Sequence, residues 1–166
     1  MPRKTVFIKA SGDQYLNPKF REWLKPFTEN SFVCISPGAG TQTNEEFIRR
    51  GWPVKPHGPL GRETETFEQR QVSRDIAEGN QATLQDWLAD EGIFAVVEKP
   101  FLEIGTVLCP VNGDQMVENA YIGYDELYVI TTPDRLDEKI KAFEHLPKVT
   151  VLAFPEKKST DQNTPE

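Results

Sequence analysis

A lysine, an arginine and an aspartate beside glycine-rich turns are the residues of this chain that could handle an anion. Lys9 closes an apolar run and is followed by Ala10-Ser11-Gly12-Asp13. An ammonium there can neutralise a ligand's negative charge, and Gly12 lets the backbone come close. On spacing alone, a lysine snorkelling out of a strand end reads equally well. Gly38-Ala39-Gly40 separates an apolar run from a helical pattern, so its small residues permit a tight turn and offer N–H groups at a helix start. Neither the six-residue dinucleotide fingerprint nor a P-loop Gly-Lys-Ser/Thr is present. Asp114, in Asn112-Gly113-Asp114, can orient a lysine or a metal-bound phosphate, although local sequence favours a helix cap. Asp134 carries the same ambiguity. Arg62 can hold a carboxylate bidentately, although in isolation a solvated loop charge is the better reading. His57 finds no partner in the sequence, and His145 suits a helix C-terminus. Cys34 and Cys109 read as small buried hydrophobes, and no Cys/His spacing suits zinc. No intrinsic metal or cofactor is expected.

The apolar patterning says what must position these residues. Buried strands are expected at 5–10, 31–35, 93–97, 106–111, 127–131 and 149–154. Helical patterns lie between them. Asn17-Pro18 opens the first, in which Phe20, Trp23, Leu24 and Phe27 recur at helical spacing. Thr43 and Glu46 fit a capping box at the start of the second, and Gly51 fits its C-terminal cap. Residues 52–62 are too rich in Pro and Gly for a helix. Residues 64–91 read as one long helix, or two meeting near Gly79, with Phe67, Val72, Ile76, Leu84, Trp87 and Leu88 as a sparse stripe. Further helices are expected at 112–123 and 134–145, the latter with Leu136 and Ile140 as its apolar positions. Strands alternating with helices predict an α/β fold, a three-layer αβα sandwich with a mostly parallel central sheet. Such sheets bind ligands at the carboxyl ends of their strands. That edge carries the turns at 9–13, 36–42, 112–114 and 131–134.

The 166 residues suit one domain over 1–155, and the polar segment 156–166 is expected to be a disordered tail. A net charge of −7 argues against nucleic acid and anionic membrane as partners. It leaves room for a local basic pocket and a small anionic metabolite. Without a signal peptide or an apolar span, a cytoplasmic location is expected.

In order along the chain these segments resemble the amino acid kinase superfamily, which includes acetylglutamate, aspartate, carbamate and uridylate kinases. Lys9-Ala10-Ser11-Gly12 resembles its K-x-G-G motif, and residues 38–44 (GAGTQTN) its G-G-G-x-Q-x-N turn. Residues 61–65 (GRETE) resemble the G-x-R-x-T-D entry to the long helix. Residues 111–114 (VNGD) are similar to the I-N-A-D turn, and 127–136 (LYVITTPDRL) to the L-x-L-L-T-D-V-D-G-V strand and turn.

The resemblance implies that Lys9 stabilises a transferring phosphoryl group and that Asp114 organises the lysines. It implies backbone contacts to phosphate or acceptor at Gly12, Gly38, Ala39 and Gly40, acceptor binding by Arg62 and Asn112, and nucleotide contacts at Thr131 and Asp134. It further implies ATP with magnesium if the chain is catalytic, and a homodimer through helix 64–91. Departures are Ser11, Asp13, Ala39, Thr132 and Arg135. Asp13 would set negative charge beside a phosphoryl group. The second catalytic lysine has no motif here, since Lys139, Lys141 and Lys148 are merely nearby, and most of the nucleotide half is expected to be missing. The expectation is a reduced kinase-like domain that binds a small carboxylate or phosphate ligand without full kinase activity. The alternatives are a minimal ATP-dependent kinase for a small acceptor, and a structural or regulatory homodimer with relic motifs.

Overall fold

The computed structural model describes residues 3–12 and 14–155; Asp13 and the expected tail at 156–166 lie outside them. Strand β1 (Lys4–Ala10) is followed by α1 (Pro18–Asn30), β2 (Ser31–Pro37), α2 (Gly40–Arg49) and α3 (Phe67–Asp90). Then come β3 (Val96–Val97), a hairpin of β4 (Phe101–Ile104) and β5 (Val107–Pro110), and α4 (Gly113–Ala120). The chain continues through β6 (Glu126–Thr131), a 3-10 turn (Pro133–Arg135), α5 (Leu136–Phe143) and β7 (Val149–Ala153).

Five strands form a parallel sheet in the order β3-β2-β1-β6-β7. From β1 the chain builds outward through β2 and β3, then returns to the other side of β1 for β6 and β7. The order therefore reverses between β1 and β6, and parallel α/β sheets open a ligand crevice beyond the strand ends at such a reversal.

Strand alternation sorts β1 between two cores. Val6, Ile8 and Ala10 pack with Phe20 and Leu24 of α1 and Leu84 and Leu88 of α3. Phe7 points to the opposite face, with Val117 of α4 and Phe143 of α5. Helices thus cover both faces of the sheet. Lys9 shares the face of Phe7, which directs it toward α4 and α5.

Several boundaries differ from expectation, each for a local reason. Residues 106–111 do not join the central sheet. Gly105 and Thr106 adopt φ of 56° and 68°, as a two-residue hairpin turn requires, and fold β5 back on β4, a strand absent from the sequence reading. Cys109 is consequently only partly buried, whereas Cys34 is buried. Helix α2 starts at Gly40, so Thr43 and Glu46 do not cap it. The Thr43 hydroxyl donates to Ala39 O (2.6 Å) inside the helix, and Glu46 pairs with Arg49 and Arg50. Helix α3 is continuous through Gly79. It begins at Phe67 because Thr66 Oγ1 accepts from Gln69 N (3.1 Å), while Gln69 Oε1 accepts from Glu65 N (2.8 Å). Phe67 is exposed rather than part of the apolar stripe. The third strand shrinks to Val96–Val97, since Ile93 N bonds back to Leu88 O (2.8 Å) in the α3 C-cap at Gly92. In α5 the buried positions are Lys139 and Phe143, and Ile140 is exposed. Among the described residues no helix is long and apolar enough to cross a membrane.

Gly61 anchors the 52–62 segment, because a Cβ there would lie 2.1 Å from the Pro110 carbonyl oxygen. Gly79 sits in an exposed helix interior where a Cβ meets nothing within 4 Å. Thermal melts should therefore show Gly61→Ala destabilised by about 2–4 kcal/mol and Gly79→Ala stabilised by roughly 0.5–1 kcal/mol. Equal shifts for the two variants would contradict this packing.

Candidate functional site

A cavity of about 470 Å³ opens beyond the carboxyl ends of β1 and β2, beside α4 and α5. On one side stand three charged groups. Lys9, from the end of β1, reaches Asp114 in the first turn of α4 (Nζ to Oδ1, 3.4 Å). Lys139, from the buried face of α5, donates to the other oxygen of the same carboxylate (Nζ to Oδ2, 2.6 Å). Both lysines are buried. The local sequence allows this because Asn112, not Asp114, caps α4: Asn112 Oδ1 accepts from Asp114 N (3.1 Å), which frees the aspartate side chain to turn toward the lysines. Gly113 makes room, since a Cβ there would meet Lys9 Cε at 2.9 Å.

Two buried ammonium groups thus share one carboxylate. Burial pushes the Lys9 pKa down, helped by the like charges of Lys139 and Arg135 and opposed by Asp114. Burial alone would raise the Asp114 carboxyl, but Lys9 and Lys139 outweigh it and hold it below the usual range. Glu138 lies 3.5 Å from Lys139 on the exposed side.

Arg62 stands across the cavity and is as buried as the lysines, not a solvated loop charge. Its guanidinium packs 5.3 Å from the Phe47 ring centroid. Its Nη2 donates to Asn44 Oδ1, to His57 Nε2 (2.6 Å) and, at longer range, to Gly40 O (3.4 Å). All three acceptors are neutral, and Nη1 is buried without a hydrogen-bond partner. Among the described residues no carboxylate pairs with Arg62. Among the described residues, the charged ones lining the cavity are four cations (Lys9, Arg62, Arg135, Lys139) and two carboxylates (Asp114, Glu138). Among the described residues the cavity lining thus carries a surplus of positive charge, in a chain of net charge −7.

The glycine turns form the floor. Gly12 and Gly38 approach so closely that a Cβ at Gly38 would lie 2.9 Å from Gly12 N. Their carbonyl oxygens are engaged by side chains: Gln42 Nε2 donates to Gly12 O (2.9 Å) and Asn80 Nδ2 to Gly38 O (2.9 Å). Ala39 opens α2 without a side-chain cap, and its methyl packs with Ala77 and Phe101. The Ser11 hydroxyl lines the cavity, buried and without a hydrogen-bond partner.

The structure brings together Lys9, Gly12, Gly38, Ala39, Gly40, Arg62, Asn112 and Asp114 around this one cavity. Asn112 spends its side chain capping α4 and donating to Gly58 O (3.4 Å). Thr131 and Asp134 are not among the lining residues; Thr131 is buried at the end of β6 and Asp134 is exposed on the 3-10 turn. Lys139 and His57 were missed as site residues. The signal for Lys139 was a lysine four residues before Phe143 on an amphipathic helix, where the buried face expects an apolar side chain. No local signal marks His57, which meets Arg62 only through the fold of its loop. No protein-family model and no curated protein matches the chain.

Replacing Asp114 by Asn leaves Lys9 buried without a carboxylate. Breaking such a pair costs about 3–5 kcal/mol. At neutral pH the variant should melt lower than the parent, and the deficit should shrink at alkaline pH, where Lys9, with its lowered pKa, sheds its proton. In the parent chain the Asp114 contribution is present above the unfolded carboxylate value of about 3.9. It is lost as pH falls through the depressed folded value. Denaturant titrations across pH measure both trends, and a deficit independent of pH would contradict the charge assignment.

Proposed function

We propose that this chain is an amino-acid-kinase-like domain whose cavity binds a small metabolite bearing carboxylate or phosphate groups. One observation carries the reading. Arg62 is buried with only neutral acceptors on one side of a small cavity, and two buried lysines share a single aspartate on the other. Burying a cation without a counter-charge is costly. An anionic ligand supplies that charge at both ends and recovers the desolvation already spent on the three cations. The volume suits a molecule of metabolite size. The glycine turns let backbone approach the ligand, and the carbonyls of Gly12 and Gly38 are taken up by Gln42 and Asn80.

Calorimetry and thermal shift against inorganic phosphate, sulfate, acidic amino acids, their acyl derivatives and ATP test this. A ligand at about 100 times its Kd should stabilise the fold by about 2.7 kcal/mol. Lys9→Ala and Arg62→Ala should each weaken binding roughly tenfold or more, the scale of a charge-assisted hydrogen bond. Absence of binding across the panel would sink the reading.

A second reading, phosphoryl transfer to a small acceptor, draws support from Lys139. The resemblance implies a second lysine organised by the aspartate, and Lys139 meets Asp114 at 2.6 Å although no motif marks it. Transfer depends on positioning and on stabilising charge spread over the moving phosphoryl oxygens. Lys9 and Lys139 are the residues that would hold those oxygens, and Asp114, in contact with both, would position their ammonium groups. Magnesium, when bound with a nucleotide, supplies further positive charge to the phosphates. ATP turnover with the best-binding acceptor should drop by roughly 10²-fold or more in Lys9→Ala and in Lys139→Met. Equal rates in parent and variants would exclude this mechanism.

A further inference from the structure

We propose that His57 is a positioning residue: its Nε2 lone pair fixes the Arg62 guanidinium in the orientation that receives the anion, without cancelling the guanidinium charge. The inference rests on the anion-binding reading of the cavity. The Arg62 Nη2 to His57 Nε2 distance is 2.6 Å. A guanidinium only donates, so Nε2 must be the acceptor and the imidazole proton must sit on Nδ1. Burial and the charges of Arg62 and Arg135 all push the His57 pKa down, which keeps the ring neutral. The two Nη2 hydrogens are then committed to His57 and to Asn44. Nη1 has no hydrogen-bond partner, and Arg62 lines the cavity, so the guanidinium keeps donor capacity for a ligand.

The choice of a neutral acceptor has a consequence. A carboxylate at position 57 would hold Arg62 at least as firmly, because charge-assisted bonds to arginine are the stronger kind. It would also neutralise the arginine and remove the attraction for an anion. An alkyl side chain would leave the charge but release the guanidinium. A neutral imidazole gives orientation and charge together. The loop carrying the ring is itself held. Gly58 N bonds to Gly61 O (3.0 Å), and Asn112 N bonds to Leu60 O (2.9 Å). His57 is therefore tied to the first turn of α4, the element that carries Asp114, so the arginine and lysine sides of the cavity keep a fixed spacing.

Three substitutions separate these effects, with sulfate and succinate as probes and calorimetry on the full chain as the readout. His57→Gln places a neutral acceptor near the Nε2 position and should bind within about threefold of the parent. His57→Ala should bind roughly tenfold more weakly, the scale of one charge-assisted hydrogen bond. His57→Glu should lose at least as much affinity while its melting temperature holds or rises. Binding by His57→Ala equal to the parent would overturn the proposal. So would His57→Glu binding as tightly as His57→Gln, a comparison that stands even if the alanine variant fails to fold. A parent chain that binds neither probe overturns the cavity reading and this proposal together. A parent that binds, with all three variants unchanged, overturns the role of His57 alone.

Discussion

Two buried lysines on one aspartate form the constraint around which the carboxyl edge of this fold is organised. Lys9, Asp114 and Lys139 come from β1, α4 and α5, so the cluster ties the central strand to both helices on one face of the sheet. One carboxylate is shared by two ammonium groups, with Glu138 3.5 Å from Lys139 on the exposed side, and desolvation of Lys9 exceeds any other single influence on it. A parallel sheet places such a cluster at the strand ends, where the order reverses between β1 and β6 and the helices leave a crevice. The same crevice is lined by helix starts and glycine turns, which add N–H groups and no side-chain bulk.

The arginine side answers the same constraint by other means. Arg62 is held by an asparagine, a histidine and a backbone carbonyl, none of which carries charge. Asn112 links the two sides, capping α4 with its side chain while its backbone N–H grips the 52–62 loop through Leu60. Gly61 permits that loop to lie directly on Pro110 of the hairpin. The irregular segment and the hairpin thus supply the cavity wall that a sheet and its covering helices do not.

Much of this was legible in the sequence. The apolar runs located four of the five sheet strands closely, and Asn17 and Gly51 marked helix ends where the caps occur. Lys9 was legible because it closes an apolar run just before a glycine turn. Other features depend on contacts between distant segments and left no local trace. Asp114 reads as a cap until Asn112 is seen to take that role. Lys139 meets its partner 25 residues away in sequence. The β5 segment has the composition of a buried strand, yet two positive-φ residues before it fold it into a hairpin with β4. His57 gains its meaning only from a loop whose course is set by Gly61 and Asn112.

An anion belongs between the lysine pair and Arg62 if the cavity is the binding site proposed above. Crystals grown in selenate, a dianion whose selenium is located by anomalous scattering, test it directly. A selenium peak is expected inside the cavity, within hydrogen-bonding reach of Lys9 or Arg62. Selenium bound only at surface lysines and arginines, with the cavity empty at saturating selenate, would contradict it.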